Sequence, residues 1–141
     1  MSKYLDLYCA AKKWLGVPFR WHGHTKSGCD CIGLIVGVLR EDGVISSEDL
    51  LMHEFCKYGH NVSRIGEQYV NCMMLKYFNK YEGKELKNGL VFRMKDYNMP
   101  YHFAIYGDNK IIHTTSEIGC VFMANFDDNL KSKVQDIFVL C

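Results

Sequence analysis

Ser27–Glu41 reads SGCDCIGLIVGVLRE, two thiols flanking an aspartate at the mouth of a nearly unbroken apolar run. From Cys31 to Arg40 the residues are apolar on almost every face, the mark of a helix buried in the middle of a domain. Gly33 and Gly37, four apart, share a stripe where another element can approach closely. A thiol reacts as its thiolate, and a helix N-terminus favours that anion through unsatisfied N–H groups and the macrodipole. Cys31 stands where that help is available. Cys29, two residues earlier in the loop, cannot count on it, so Cys31 is the candidate nucleophile and the cysteine expected to alkylate fastest.

Outward from this helix, a chain of 141 residues fits one ordinary domain, residues 1–141, with a single sizeable core. From Tyr4 to Leu15 the apolar residues Leu5, Tyr8, Cys9, Trp14 and Leu15 recur near helical spacing, and Gly16 with Pro18 ends the pattern. The following GVPFRWHGHTKSG is rich in turn formers but holds Phe19 and Trp21, which makes it an ordered loop. Ser46 to Tyr81 is mostly helical in pattern, with Ser47 as a cap before EDLLMHEFCKYG and a second run from Glu67 to Phe78. After GKELKNG the periodicity changes to LVFRM, HFAIYG, KIIHTT, CVFMA and VQDIFVL, short runs that read as strands of one antiparallel sheet. Helices followed by strands predict an α+β domain whose sheet buries one face against the central helix.

Composition closes off several classes of function. The formal charge is +1 and charged residues make up 23% without a long run of either sign, so nothing marks a nucleic-acid partner. Seven cysteines form an odd, spread-out set, unlike a small secreted scaffold, and are expected to be mostly reduced. A Cys-x-Cys pair can join a metal site, but zinc needs about four ligands and no second close Cys or Cys/His cluster accompanies this one. No run reaches the length of a membrane span. The N-terminal MSKYLDLYCAAKKWLG lacks a signal-peptide core, so synthesis in a cytoplasm is expected. Export by lysis, in a phage particle or through a dedicated machine would leave no mark in this sequence.

In YHFAIYGDNKIIHTT two strand-forming runs flank Gly107, Asp108 and Asn109, a strong hairpin signal. With a two-residue loop at Asp108 and Asn109, Gly107 pairs with Lys110 and Ala104 with His113. Side chains alternate along a strand, so His102, Ala104 and His113 then share one face, and the two imidazoles come within reach of each other. A three-residue loop would turn His113 away. A nucleophile (Cys31), a base (His102) and a polar group that fixes the base's tautomer (His113) are the parts of an acyl-transfer triad. His22, His24, His53 and His60 lack such a setting and read as solvated or loop residues.

With those residues assembled, WLGVPFRWHGHTKSGCDCIGLIVGVLRE resembles the catalytic segment of the NlpC/P60 cysteine peptidases, in which Asp-Cys-x-Gly-Leu opens the central helix. HFAIYGDNKIIHT resembles the family's histidine strand and the histidine that follows it. The resemblance implies a papain-like α+β fold, Cys31 as nucleophile, His102 as base and His113 as third residue. Phe19, Trp21 and Asp30 fall on the candidate substrate and oxyanion side. It also implies peptidoglycan stem peptides as substrates, commonly cut between D-glutamate and a diamino acid through the glutamate's side-chain carboxyl, with no metal or organic cofactor. The chain is most like short members encoded in phages and phage-derived gene clusters, which implies tail proteins as partners and action from a virion or after release to the wall. Transfer of the acyl group to another acceptor, attack on a different amide, and a non-catalytic tail component on the same fold stay open as alternatives.

Two features depart from the family pattern. The stretch between Cys31 and His102 is longer than in compact members, with most of the excess in residues 46–81, where it could shape specificity or a partner surface. The loop aromatic, usually tyrosine, is Phe19, which has no hydroxyl to offer a developing oxyanion. Trp21 N–H, His22 or a loop N–H are the nearest substitutes in sequence. Phe19→Tyr is therefore expected to leave the melting temperature unchanged and raise kcat/KM on an amide substrate, since one such donor is worth on the order of 10²–10³ in rate elsewhere. Steady-state kinetics showing no gain would make Phe19 plain packing.

Overall fold

The computed structural model describes residues 6–55, 64–96 and 99–141. Helix α2 (Cys31–Glu41) is its axis, and every residue from Cys31 to Leu39 is buried. Asp30 caps it, accepting the Gly33 N–H at 2.7 Å. The glycine stripe does what its spacing predicts. A Cβ on Gly33 would collide with the Gly23 carbonyl oxygen, and one on Gly37 with the Trp14 ring and, at 2.8 Å, the His24 carbonyl oxygen. Only a side chain of one hydrogen lets the loop before α2 lie directly on it.

The first helix, α1 (Leu7–Lys12), is shorter than its apolar pattern, and Asp6 caps it through the Tyr8 and Cys9 amides. Trp14 lies beyond it in a turn, fully buried, its Nε1 donating to Glu41 at 2.7 Å. Within the loop a small hairpin, β1 (His24–Thr25) with β2 (Gly28–Cys29), was not legible beforehand, because two-residue strands carry no periodicity. The long middle segment forms α3 (Ser47–Phe55) and α4 (Arg64–Tyr77). Ser46, not Ser47, caps α3, its Oγ accepting the Asp49 N–H at 3.1 Å. Cys56 and His60 lie outside the described residues.

Among the described residues, six strands make one antiparallel sheet: β3 (Phe78–Lys80), β4 (Val91–Asp96), β5 (Met99–Gly107), β6 (Lys110–Thr114), β7 (Val121–Asn125) and β8 (Val134–Leu140). The order is β3-β8-β4-β5-β6-β7. Four strands meander, and the chain then returns through the short helix α5 (Asp128–Lys131) to set β8 between β3 and β4. One face carries Val91, Phe103, Ile105, Ile112 and Phe138 against α1, α2 and α4. That is the face expected to be buried against the central helix. The other face has its own apolar cluster around Phe92, Tyr106 and Phe126, with ring centroids 5.1–5.5 Å apart, closed over by the β7–β8 return. The fold is the expected α+β.

Gly33→Ala tests the loop-on-helix contact. Alanine would add about 1 kcal/mol of helix propensity, but overpacking against a backbone carbonyl costs about 1–3 kcal/mol or more, so chemical denaturation should show a net loss.

Candidate functional site

Asp30 is fully buried, and both of its carboxylate oxygens are occupied: Oδ1 by the Gly33 N–H and Oδ2 by the His22 N–H at 2.8 Å. That second bond holds His22 at φ 65, a left-handed conformation that a residue with a Cβ adopts only when its surroundings impose it. Asp30 therefore shapes the loop on the helix start. The residue expected on the substrate side is here fully buried beneath the loop.

Cys31 is 1% exposed. Burial pushes it well above the usual thiol range, the Asp30 charge adds to the rise, and the N–H groups of Phe103, Ile32 and Cys31 itself pull partly back. The helix start does favour the anion, as expected, but desolvation outweighs it. Burial thus disfavours the Cys31 thiolate at rest, whereas Cys72 and Cys141 are exposed. Cys29 is buried in β2 and pushed up to about 12 by burial and Asp30.

The Phe103 N–H at the Cys31 sulfur fixes where α2 meets the sheet. Tyr106 directs its N–H toward Leu90, on the β4 side, so the alternation of the strand turns the Phe103 N–H toward β6. The β5–β6 ladder ends at Ile105 and Ile112, and the sulfur is served by an amide beyond that end. His102 is the next residue along β5.

The hairpin has the expected two-residue loop, Gly107 pairing with Lys110, with Asp108 and Asn109 at φ 49 and 60. Two positive φ values give the turn whose twist suits adjoining strands. The register brings His102 Nε2 and His113 Nδ1 to 2.8 Å, both residues buried. Burial, with the neighbouring His102, pushes His113 down to about 3 and keeps it neutral. Phe122 packs on its ring at 4.3 Å between centroids.

On the loop, Phe19 is clamped by its backbone, N–H to the Gly119 carbonyl at 2.8 Å and a bridge to Cys29, while its half-buried ring meets Trp21 edge-on at 4.9 Å. The reading of His53 as solvated is wrong. It is 1% exposed, 2.9 Å from the Tyr69 hydroxyl through Nδ1, and edge-on to His24 at 5.2 Å. His24 in turn faces Arg40 at 3.2 Å, so α3 and α4 are fastened to the loop before Cys31. Sequence missed this because the His53 partners Tyr69 and His24 come from two other segments. Among the described residues, no group of three or more His, Cys, Asp or Glu is placed to hold a metal ion, and no helix is long and apolar enough to cross a membrane.

A helix-start cysteine thus stands against the histidine-bearing strand of an antiparallel sheet in an α+β domain. Residues 16–135 match the NlpC/P60 family, and the chain belongs to it. Among solved structures it is similar to the NlpC/p60 domain of the peptidoglycan hydrolase SagA, at 19% identity over 94% of each chain and a TM-score of 0.54. It is similar also to the peptidoglycan hydrolase RipB of Mycobacterium tuberculosis, at 16% identity over 95% of this chain and a TM-score of 0.59. It spans 62% of RipB. RipD of the same organism, described as a non-catalytic NlpC/p60 domain protein adapted to peptidoglycan binding, matches at 16% identity over 95% of this chain and 93% of its own, with a TM-score of 0.56. Likeness at these identities speaks for the fold.

His53 makes stability depend on pH. Burial, then His24 and His22, push it down to about 4, so between that value and its ordinary 6.5 the unfolded chain binds the extra proton. Stability should be full above about pH 6.5 and fall by about 3 kcal/mol as pH drops through 4. His113 adds a slope of the same sign. Urea midpoints measured from pH 7 to 4.5 should fall steeply for the wild type and less for His53→Gln.

Proposed function

We propose that this protein is a cysteine endopeptidase acting on peptidoglycan stem peptides, with Cys31 as nucleophile, His102 as general base and His113 as the residue that orients it. The observation that carries the reading is the 2.8 Å bond from His102 to His113, one residue from the amide that meets the Cys31 sulfur. Neutral His113 accepts through Nδ1 from the His102 Nε2–H. That leaves His102 Nδ1 as the nitrogen that takes a proton.

The thiol gives its proton to His102 as the sulfur attacks the amide carbonyl, and the C=O electron pair moves onto oxygen. The Cys31 N–H is one donor for that oxyanion, and a loop N–H or Trp21 stands in for the hydroxyl that Phe19 lacks. His102 passes the proton to the departing nitrogen, the C–N bond breaks and a thioester remains. Water then attacks, giving its proton to His102, and the C–S bond breaks to free the acid and return the thiol. We assign the bond to the link between the D-glutamate side-chain carboxyl and the diamino acid. Because burial holds the resting thiol neutral, thiolate forms only as His102 takes its proton, and a carbonyl reaches the sulfur only after its cover shifts.

That burial also favours a second reading, wall binding without cleavage, as RipD is described. Digestion of purified peptidoglycan with fragments identified by mass spectrometry separates the two. Cleavage at the glutamyl link should vanish in Cys31→Ala, persist in Cys29→Ala, and drop by about 10²–10⁴ in kcat/KM in His102→Ala. His113→Asn, which can still accept from His102, should keep more activity than His113→Ala. Retention of peptidoglycan with no new fragments would establish the binding role.

A further inference from the structure

The loop ahead of Cys31 is held from two directions. Its first part is tied to neighbouring backbone, the Phe19 N–H donating to the Gly119 carbonyl and the Cys29 N–H to the Pro18 carbonyl. Its next part, Trp21 to His24, runs over α2, with the His22 N–H on Asp30 and the Gly23 and His24 carbonyls against Gly33 and Gly37. Side chains from α3 and α4 reach this second part. Through Asn71, Met74 and Leu75, α4 lines a cavity of about 250 Å³ that also touches Arg93 of the sheet. Through Tyr69 it meets α3, where His53 Nδ1 is 2.9 Å from the Tyr69 hydroxyl. The His53 ring is edge-on to His24, and His24 Nδ1 lies 3.2 Å from Arg40 of α2.

Charge decides how firm this hold is. A guanidinium has only donors, so His24 Nδ1 accepts from Arg40 and carries no proton there. His53, buried between the Tyr69 hydroxyl and the His24 ring, also has the charge of His22 bearing on it. The carboxylates of the packed elements are engaged already: Asp30 with two backbone N–H groups, Glu41 of α2 with Trp14 and Lys26, and Asp49 of α3 with Lys76 and Tyr77. A proton on His53 therefore puts a buried cation beside His24 and His22, one imidazole away from the Arg40 guanidinium, with those three acids committed elsewhere.

We infer that His53 is a positioning residue: with Tyr69 it holds His24, and so the loop bearing Trp21 and His22, in place over the start of α2, and acid releases that hold. Its effect on rate rests on the peptidase reading, and the clamp itself does not. Burial first, then His24 and His22, push His53 down to about 4 from 6.5, so the opened loop binds a proton that the closed one refuses. Opening becomes about tenfold easier for each pH unit between those two values.

Hydrogen exchange of the whole protein, read by mass spectrometry and corrected for the intrinsic pH dependence of amides, tests the clamp without turnover. At pH 7 residues 21–24 and helices α3 and α4 should be protected together. Below 6.5 both should lose protection by about tenfold per pH unit, while β5 and β6 stay the slower to exchange at every pH. His53→Gln, which can still bond Tyr69 but does not titrate, should keep the loop closed at pH 7 and flatten that slope. Tyr69→Phe should speed loop exchange at pH 7 by about tenfold, and His53→Leu should speed it further. The tyrosine variant deletes a single oxygen and carries the test if His53→Leu does not fold. Loop exchange that ignores pH between 7 and 5, or that is unchanged in Tyr69→Phe, would overturn the inference. Peptidoglycan cleavage with Cys31 intact is read beside it: His53→Leu should lower kcat/KM by up to about 10²-fold, and His53→Gln should recover most of it. A loosened loop with full cleavage removes the positioning role. Absence of cleavage in every form removes the peptidase reading, and the exchange data then decide the clamp alone.

Discussion

The carboxylate of Asp30 is the tie on which the site depends. Its two oxygens join the first turn of α2 to the loop ahead of it, through the Gly33 and His22 amides. A fully buried charge is tolerable there because two N–H donors and the positive end of a helix surround it. Asparagine is nearly the same size, but its amide would turn an NH₂ toward one of those donors. The same charge adds to the burial that disfavours the Cys31 thiolate, so the group that ties the loop down also opposes the anion beside it. Under the proposed peptidase reading, reactivity comes from His102 on the sheet, so the placement of α2 against β5 matters more than the helix start alone.

Sequence gave most where a local pattern decides the outcome. The unbroken apolar run of α2, its glycine stripe and the Asp108–Asn109 turn each need only a few neighbouring residues, and each formed as read, down to the pairing of His102 with His113. Where distant segments decide, the reading failed. Helix dipole reasoning favours the Cys31 thiolate, and the burial that opposes it is set by elements far along the chain. His53 passed for a surface residue on a weakly apolar helix, while Tyr69 and His24, on two other segments, bury it. Arg93 sits inside the strand run LVFRM, and only the sheet register shows that it faces Phe103 on one side and Asp136 on the other.

The segment between Cys31 and His102 gains a structural meaning from those contacts. Helices α3 and α4 do not simply extend outward: through His53 and Tyr69 they bear on His24, whose carbonyl lies on the α2 stripe, and α4 also roofs the cavity above Arg93. The 46–81 segment thus touches both the loop before Cys31 and a neighbouring cavity.

The buried, neutral state of Cys31 also bears on how long such a protein stays competent. Peroxide attacks thiolates that it can reach, and carries them through sulfenic acid to forms that cannot be reduced again. A thiol held protonated and 1% exposed offers it little, while the exposed Cys9, Cys72 and Cys141 meet the oxidant first. Burial thereby shelters the Cys31 thiol from an oxidant that the surface thiols meet first.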